Sequence, residues 1–243
     1  MCNNYAPTRP ESLQALLSLD AVGDYPAETR PDYDAPMIQI NQDGRTECVI
    51  ANFGFAPKEY AREGMPDPVN ARVETIGKTP MFAPYWRAGN LCIVPAQEIF
   101  EWCYETGKAV RHRIWLKDQP EFGIAGLWRT WPEPGGGSLK TTFVMITVNA
   151  EDHALFRRMH KPTNPDGTPK EKRGVVMLRR DQWDDWLTCK DPERARTFLQ
   201  LYPAELMDDE PAPSASRSIK PKNEKPKARP KQKPPESGDL LGD

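Results

Sequence analysis

The first residues with reactive chemistry to offer are Met1 and Cys2. Removing an initiator methionine in front of a small residue leaves a cysteine with a free α-amine and a thiol on adjacent carbons, a 1,2-aminothiol. Such a pair traps aldehydes. The amine, with a reference pKa of about 7.7 to 8.0, is substantially neutral in the cytosol and forms a Schiff base; the thiol, near about 8.5, then adds to the imine and closes a five-membered thiazolidine. Glu101 lies between Phe100 and Trp102. Apolar neighbours that desolvate a carboxyl raise its pKa toward the general-acid range, whereas strand alternation turns the acid outward and both rings inward. Asn70, Arg72 and Glu74 alternate, which places three polar side chains on one face of an extended segment, the pattern also of a solvated strand face. His160 stands before Lys161 and Pro162, at a position where a histidine ordinarily compensates a helix dipole or packs in a core. Cys48, Cys92, Cys103 and Cys189 have no zinc-ligand spacing, and no Gly-Lys-Ser/Thr follows Gly135-Gly136-Gly137. Neither a metal nor an organic cofactor is implied.

These residues need strands to carry them. Residues 3 to 10 oppose a helix, because two prolines and two asparagines fall there, so the N-terminus is expected to run inward as a strand. Glu11 to Leu19 reads as a short amphipathic helix. Met37 to Ile40 and Glu47 to Phe55 read as strands joined through Asp43-Gly44, a strong hairpin signal. A short helix around Met81 to Trp86 precedes two apolar runs, Leu91 to Pro95 and Ile99 to Trp102. Strands are expected at Arg111 to Leu116, Phe122 to Trp128 and Thr141 to Val148. Asn149 to Asp152 should open a helix carrying His153, Phe156, Arg157 and His160, and Val175 to Leu178, Asp181 to Leu187 and Pro192 to Leu201 read as strand, helix and helix.

The chain of 243 residues is enough for one well-stabilised domain. Five cysteines without paired spacing, and no basic-plus-apolar leader, point to a reduced, cytoplasmic protein. No run approaches membrane-spanning length, so no membrane partner is expected. The net charge of -2 hides an asymmetry, since from Pro211 onward eight Lys or Arg face four Asp or Glu. Beyond about Pro203 the chain is Pro-, Lys- and Ser-rich, and such a segment cannot bury enough surface to offset its ordering entropy. The expected organisation is a domain over residues 2 to 202 and a disordered basic tail over 203 to 243.

Cys2, Asn70-Ala-Arg-x-Glu-Thr, Met81-Phe82, Cys92-Ile-Val-Pro, Phe100-Glu-Trp, Ile146-Thr147 and Met159-His160-Lys-Pro, followed by Lys172-Arg173, occur in this order. The combination resembles the SOS response-associated peptidase family of abasic-site processing proteins over about residues 2 to 190. The resemblance implies an α+β fold, a single β-rich domain with an open antiparallel barrel-like core and flanking short helices. It implies covalent crosslinking to abasic sites in single-stranded DNA through a thiazolidine at Cys2, by a monomer that joins the nucleoid when bound. Self-processing or an aminopeptidase would remove Met1, and the imine could drive weak strand cleavage. By the same resemblance Asn70 orients the amine and the deoxyribose, Glu101 shuttles protons and His160 acts on the sugar. Arg72, Thr147, Lys161 and Arg173 would meet DNA. The chain departs from the family at Asn4, where an arginine is usual, at Lys58-Glu59-Tyr60 in place of an aromatic wedge, and at Thr163 to Glu171, which interrupts a His-x-Arg-x-Pro motif. Two rival functions fit parts of the pattern: an N-terminal-nucleophile amidohydrolase or peptidase using Cys2, and a noncovalent DNA-binding module using the tail.

Overall fold

The computed structural model describes residues 2–18, 23–57, 60, 68–133, 135–137 and 139–213. Its first hairpin joins β2 (Asp34–Ile40) to β3 (Thr46–Phe53). Asn41 Oδ1 accepts from the N–H groups of Asp43 and Arg45 at 3.0 and 2.9 Å, and Gly44 takes a φ of 78°. A short polar side chain and a residue without Cβ thus fix the turn and its register.

The two apolar runs separated by Ala96 to Glu98 form one 13-residue strand, β5 (Leu91–Cys103). It pairs antiparallel with β7 (Phe122–Pro132) along its first half and with β6 (Val110–Leu116) along its second. β7 also pairs β8 (Leu139–Asn149), β8 pairs β3, and β2 touches β5 at Ile38 and Ile93, so five strands close into a barrel. Most pairings are antiparallel. The β3–β8 contact and that of β4 (Asn70–Arg72) with β8 are parallel. β1 (Tyr5–Pro7) lies along β5, which brings the N-terminus to the end of that strand.

Alternation divides the barrel wall into two apolar faces. Inside, Phe53, Phe143, Met37, Val94 and Ile124 pack around Tyr5 and Cys2. Outside, Ile38, Ile93, Leu127 and Val144 are covered by α1 (Pro10–Leu17), α2 (Ala83–Arg87) and α3 (Trp183–Thr188), with Trp86, Trp183 and Trp186 buried in the seam. At Gly123 an added Cβ would lie 2.6 Å from Ile93 Cγ2 and 2.8 Å from the Trp183 ring. Gly123→Ala is therefore expected to destabilise the domain by about 1–3 kcal/mol through overpacking, read as a lower urea midpoint at unchanged slope.

Several segments differ from the sequence reading. The helix expected from Asn149 to His160 reduces to a 3-10 turn at Phe156–Arg158. Asn149 Oδ1 takes the Glu151 N–H, and His153 Nδ1 accepts from Leu155 and Phe156, so side chains capture the donors that a helix would use. β4 stops at Arg72 because the carbonyl of that residue accepts from Thr75 and Ile76 in a turn, which removes Glu74 from the expected extended face. β9 (Arg173–Val175) and β10 (Met177–Leu178) bind different strands, β8 and β7. The C-terminal helix spans only Pro192–Arg196 (α4).

The domain boundary expected at residue 202 falls short. Met207–Pro211 forms β11, which pairs antiparallel with β6, and the compact unit runs through Pro213. Composition misled here because Asp208, Asp209 and Glu210 look like solvated tail. Asp209 instead accepts from Arg158 through both oxygens at 2.8 and 3.2 Å and contacts His112 Nδ1 at 2.6 Å. Truncation after Tyr202 should cost at least about 3 kcal/mol of stability, since it leaves Arg158 and His112 without their buried carboxylate. Thermal unfolding of the two lengths checks this, and truncation after Pro213 should not share the loss. Residues 214 to 243, where the rest of the expected tail falls, lie outside the described residues.

Candidate active site

Cys2 is 2% exposed at the head of β1. Its carbonyl accepts from Asn70 Nδ2 at 2.7 Å, and its thiol points to the Asn4 carbonyl at 3.7 Å. The Asn70 Oδ1 atom is buried without a hydrogen-bond partner. A short β4 seated on β8 thus presents one amide whose donor is used and whose acceptor is vacant. Burial, and secondarily the Glu101 carboxylate, raise the Cys2 thiol well above its ordinary pKa.

Glu101 on β5 is 4% exposed and meets His160 Nε2 at 2.9 Å. Strand alternation does not turn it outward. Trp102 takes the outer position at 48% exposure, and Phe100 is covered by the Arg111 guanidinium 3.7 Å from its ring centroid. Burial would raise the Glu101 pKa. The chain's terminal ammonium, the His160 hydrogen bond and charge, and Lys170 together outweigh burial and hold it below the ordinary carboxylate value. The sign for stability follows: this contribution is present above the unfolded pKa, about 4.3, and is lost as pH falls through the folded value. Urea midpoints should therefore drop more steeply on acidification for the wild type than for Glu101→Gln.

His160 is held in an uncommon backbone conformation, with φ of 64°. Its N–H donates to Trp102 O at 2.7 Å, and Lys172 Nζ donates to the Met159 and His160 carbonyls at 2.7 and 2.9 Å. A non-glycine residue in the left-handed region costs about 1–2 kcal/mol, so these bonds over-determine the place of the imidazole.

The four residues expected to meet DNA divide by exposure. Arg72 and Lys161 face solvent, whereas Thr147 and Arg173 are 1% and 2% exposed. Arg173 makes a fork with Glu74 at 2.8 and 3.2 Å, bonds Thr147 through its hydroxyl and carbonyl, and pairs with Glu171. Glu171 also binds Arg72 at 2.8 Å. Arg173 and Thr147 therefore lie beneath Arg72 and set its position.

Asn4 has a structural task. Its amide donates to Glu28 and Thr29 O and accepts from Arg111 Nη2 at 2.8 Å, while Arg111 Nη1 reaches Ala212 O at 2.9 Å. Sequence reasoning missed Arg111 and the clamp by Lys172, because each acts across a sequence separation that local pattern does not encode. Of the wedge segment only Tyr60 is described, and Lys58 and Glu59 lie outside the described residues, as does Met1.

Fold and site together define a β-barrel protein built around a buried cysteine at position 2, with a carboxylate–imidazole pair beside it. The family model described as SOS response associated peptidase (SRAP) matches residues 1–215, and the chain belongs to that family. It is similar to Abasic site processing protein YoqW of Bacillus subtilis, with 31% identity over 161 residues covering 65% of this chain and 64% of that protein. Abasic site processing protein YoaM of the same organism is 30% identical over 143 residues, 58% of this chain and 56% of that one. These matches span less than two thirds of the relatives' length. A crystal structure of a protein from Bordetella bronchiseptica superposes with a TM-score of 0.76 at 29% identity, covering 87% of this chain and 100% of that chain.

Proposed function

We propose that this chain captures the ring-opened aldehyde of an abasic site in single-stranded DNA as a thiazolidine on Cys2, once Met1 has been removed. The observation that carries the reading is the seat of Cys2, clamped through its carbonyl by Asn70 and lying in the field of a buried Glu101–His160 pair. The similarity to proteins named for abasic site processing supports it.

In this reading the vacant Asn70 Oδ1 accepts from the freed α-amine and aims its lone pair at the sugar C1′. Attack gives a carbinolamine. The aldehyde for this attack is exposed beforehand, when His160 supplies a proton that helps open the sugar ring, and Glu101 then relays the protons that expel water from the carbinolamine to leave the imine. The thiol then adds to the imine carbon while its proton passes to the imine nitrogen, so aldehyde and aminothiol become thiazolidine and water. A protonated thiol suits this order, because sulfur is needed only for the second step and the imine itself takes the proton.

Arg72 and Lys161 would hold phosphates, and the exposed Trp102 ring beside Glu101 offers a face for a base. The test is incubation with single-stranded DNA bearing one abasic site, followed by a denaturing gel. A heat-stable, slower band is expected, together with an intact mass for the active protein that begins at Cys2. Crosslinking by protein that retains Met1 would rule the mechanism out.

A further inference from the structure

Arg72, Arg111, Arg113, Arg158 and Arg173 each hold a carboxylate. Arg129, on the outer face of β7, differs. Among the described residues it has no acidic partner, and its Nε–H is buried without an acceptor. Three rings surround it instead: its guanidinium carbon lies 3.7 Å from the Trp131 centroid, 4.7 Å from Tyr85 and 5.5 Å from Phe55. Desolvating a guanidinium without a counter-charge is costly unless something else supplies the anion. The cost is visible as a pKa depressed by burial.

The surroundings suit one class of anion. Tyr60 packs against Trp131 with centroids 4.8 Å apart and a 30° interplanar angle, and both rings are partly exposed. Trp131 Nε1 is tied to Phe55 O at 3.0 Å, so the indole is fixed in place. Lys140 lies opposite Trp131 across the β7–β8 ladder. Glu133, two residues beyond Trp131 at the hairpin end, is the acidic group nearest in sequence.

We infer that Arg129, held by the Trp131 and Tyr85 rings, is a second anchoring site for single-stranded nucleic acid, taking one backbone phosphate on its guanidinium edge while a base stacks on the Tyr60–Trp131 pair. A guanidinium that stacks by its face keeps its N–H edge for phosphate oxygens, and ring stacking accepts any base. The site lies away from the Cys2 pocket: Arg129 pairs with Thr142 on β8, three residues from Met145, which carries Asn70 in register on the other side. Strand rise makes that roughly 10 Å along the ladder. The inference rests on reading the chain as a DNA-processing protein, and it adds a contact that would hold the strand on one side of the lesion.

Noncovalent binding separates the inference from the chemistry. Anisotropy of a labelled oligothymidylate without abasic sites is measured against Cys2→Ser protein and against the same protein carrying Arg129→Gln, over a range of salt. Arg129→Gln should weaken binding roughly tenfold at about 0.1 M salt and reduce the logarithmic salt slope by about 0.7. Arg129→Lys should restore the slope but only part of the affinity, because the ammonium keeps the charge and loses the planar fork. Inorganic polyphosphate should compete far less well than unlabelled oligothymidylate, and equal competition would overturn the base-stacking half of the site. The thermal midpoint of Arg129→Gln should hold or rise. A fall of many degrees would make Arg129 a structural cation and overturn the inference. If the wild type crosslinks abasic DNA while Arg129→Gln leaves affinity and slope unchanged, the anion site is wrong and the Cys2 reading stands; if the binding loss appears but no crosslink forms, the reverse holds.

Discussion

Cys2→Ser should abolish the heat-stable crosslink while leaving an intermediate that borohydride traps. The variant keeps the α-amine, so imine formation at the aldehyde proceeds, but a hydroxyl closes a less favourable and more reversible ring than a thiol. Without reductant the imine should partition between hydrolysis and β-elimination, so nicked DNA is expected where the wild type yields an adduct. The residue is 2% exposed within the inner apolar cluster, and serine is slightly smaller, so the fold should survive. Equal heat-stable yields from serine and cysteine proteins would remove the thiol from the mechanism.

Glu101→Gln should slow crosslink formation by about 10²- to 10⁴-fold, the range for loss of a positioned proton-transfer group. Glutamine fills the same volume and can still bond His160, which isolates the proton relay from the packing. His160→Asn is the matching change, because asparagine tolerates the left-handed backbone conformation at that position while removing the imidazole. It should slow both formation and reversal of the crosslink, since protons cross the same groups in either direction. Cooperative melting of both variants near the wild-type midpoint would show that the loss is chemical. Collapse of the fold in both would return Glu101 and His160 to a structural role.

The strands were legible where alternation and turn chemistry agree, as at Met37–Ile40 with Asp43-Gly44 and along Thr141 to Val148. The readings failed where a distant side chain intervened. His153 captured two backbone donors and dissolved the expected helix; Asp209, three acidic residues into an apparent tail, proved to be the counter-ion of Arg158. The candidate site residues were singled out by their order along the chain, and their types alone did not distinguish Glu101 from an outward-facing acid. Burial decided that, and burial is a property of β6 and the 160 loop closing over β5. Arg173 shows the opposite limit: a basic residue in the right motif turned out to be consumed by Glu74, Glu171 and Thr147.

The seat of the reactive terminus also has a timetable. Asn4 is fixed by Arg111, which in turn grips the carbonyl of Ala212, so residues made early in the domain rest on some of the last to be made in it. At about 5–20 residues per second, the interval between them is roughly 10–40 s. Throughout that time the start of the chain has no Glu101, His160 or Arg111 to dock on, or lacks the strand that completes the clamp. An aminopeptidase working on nascent chains would meet Met1 in the open, and any self-cleavage would have to wait for the finished barrel. Pulse-labelling that follows methionine loss against chain completion would tell the two routes apart, because only the first can precede release.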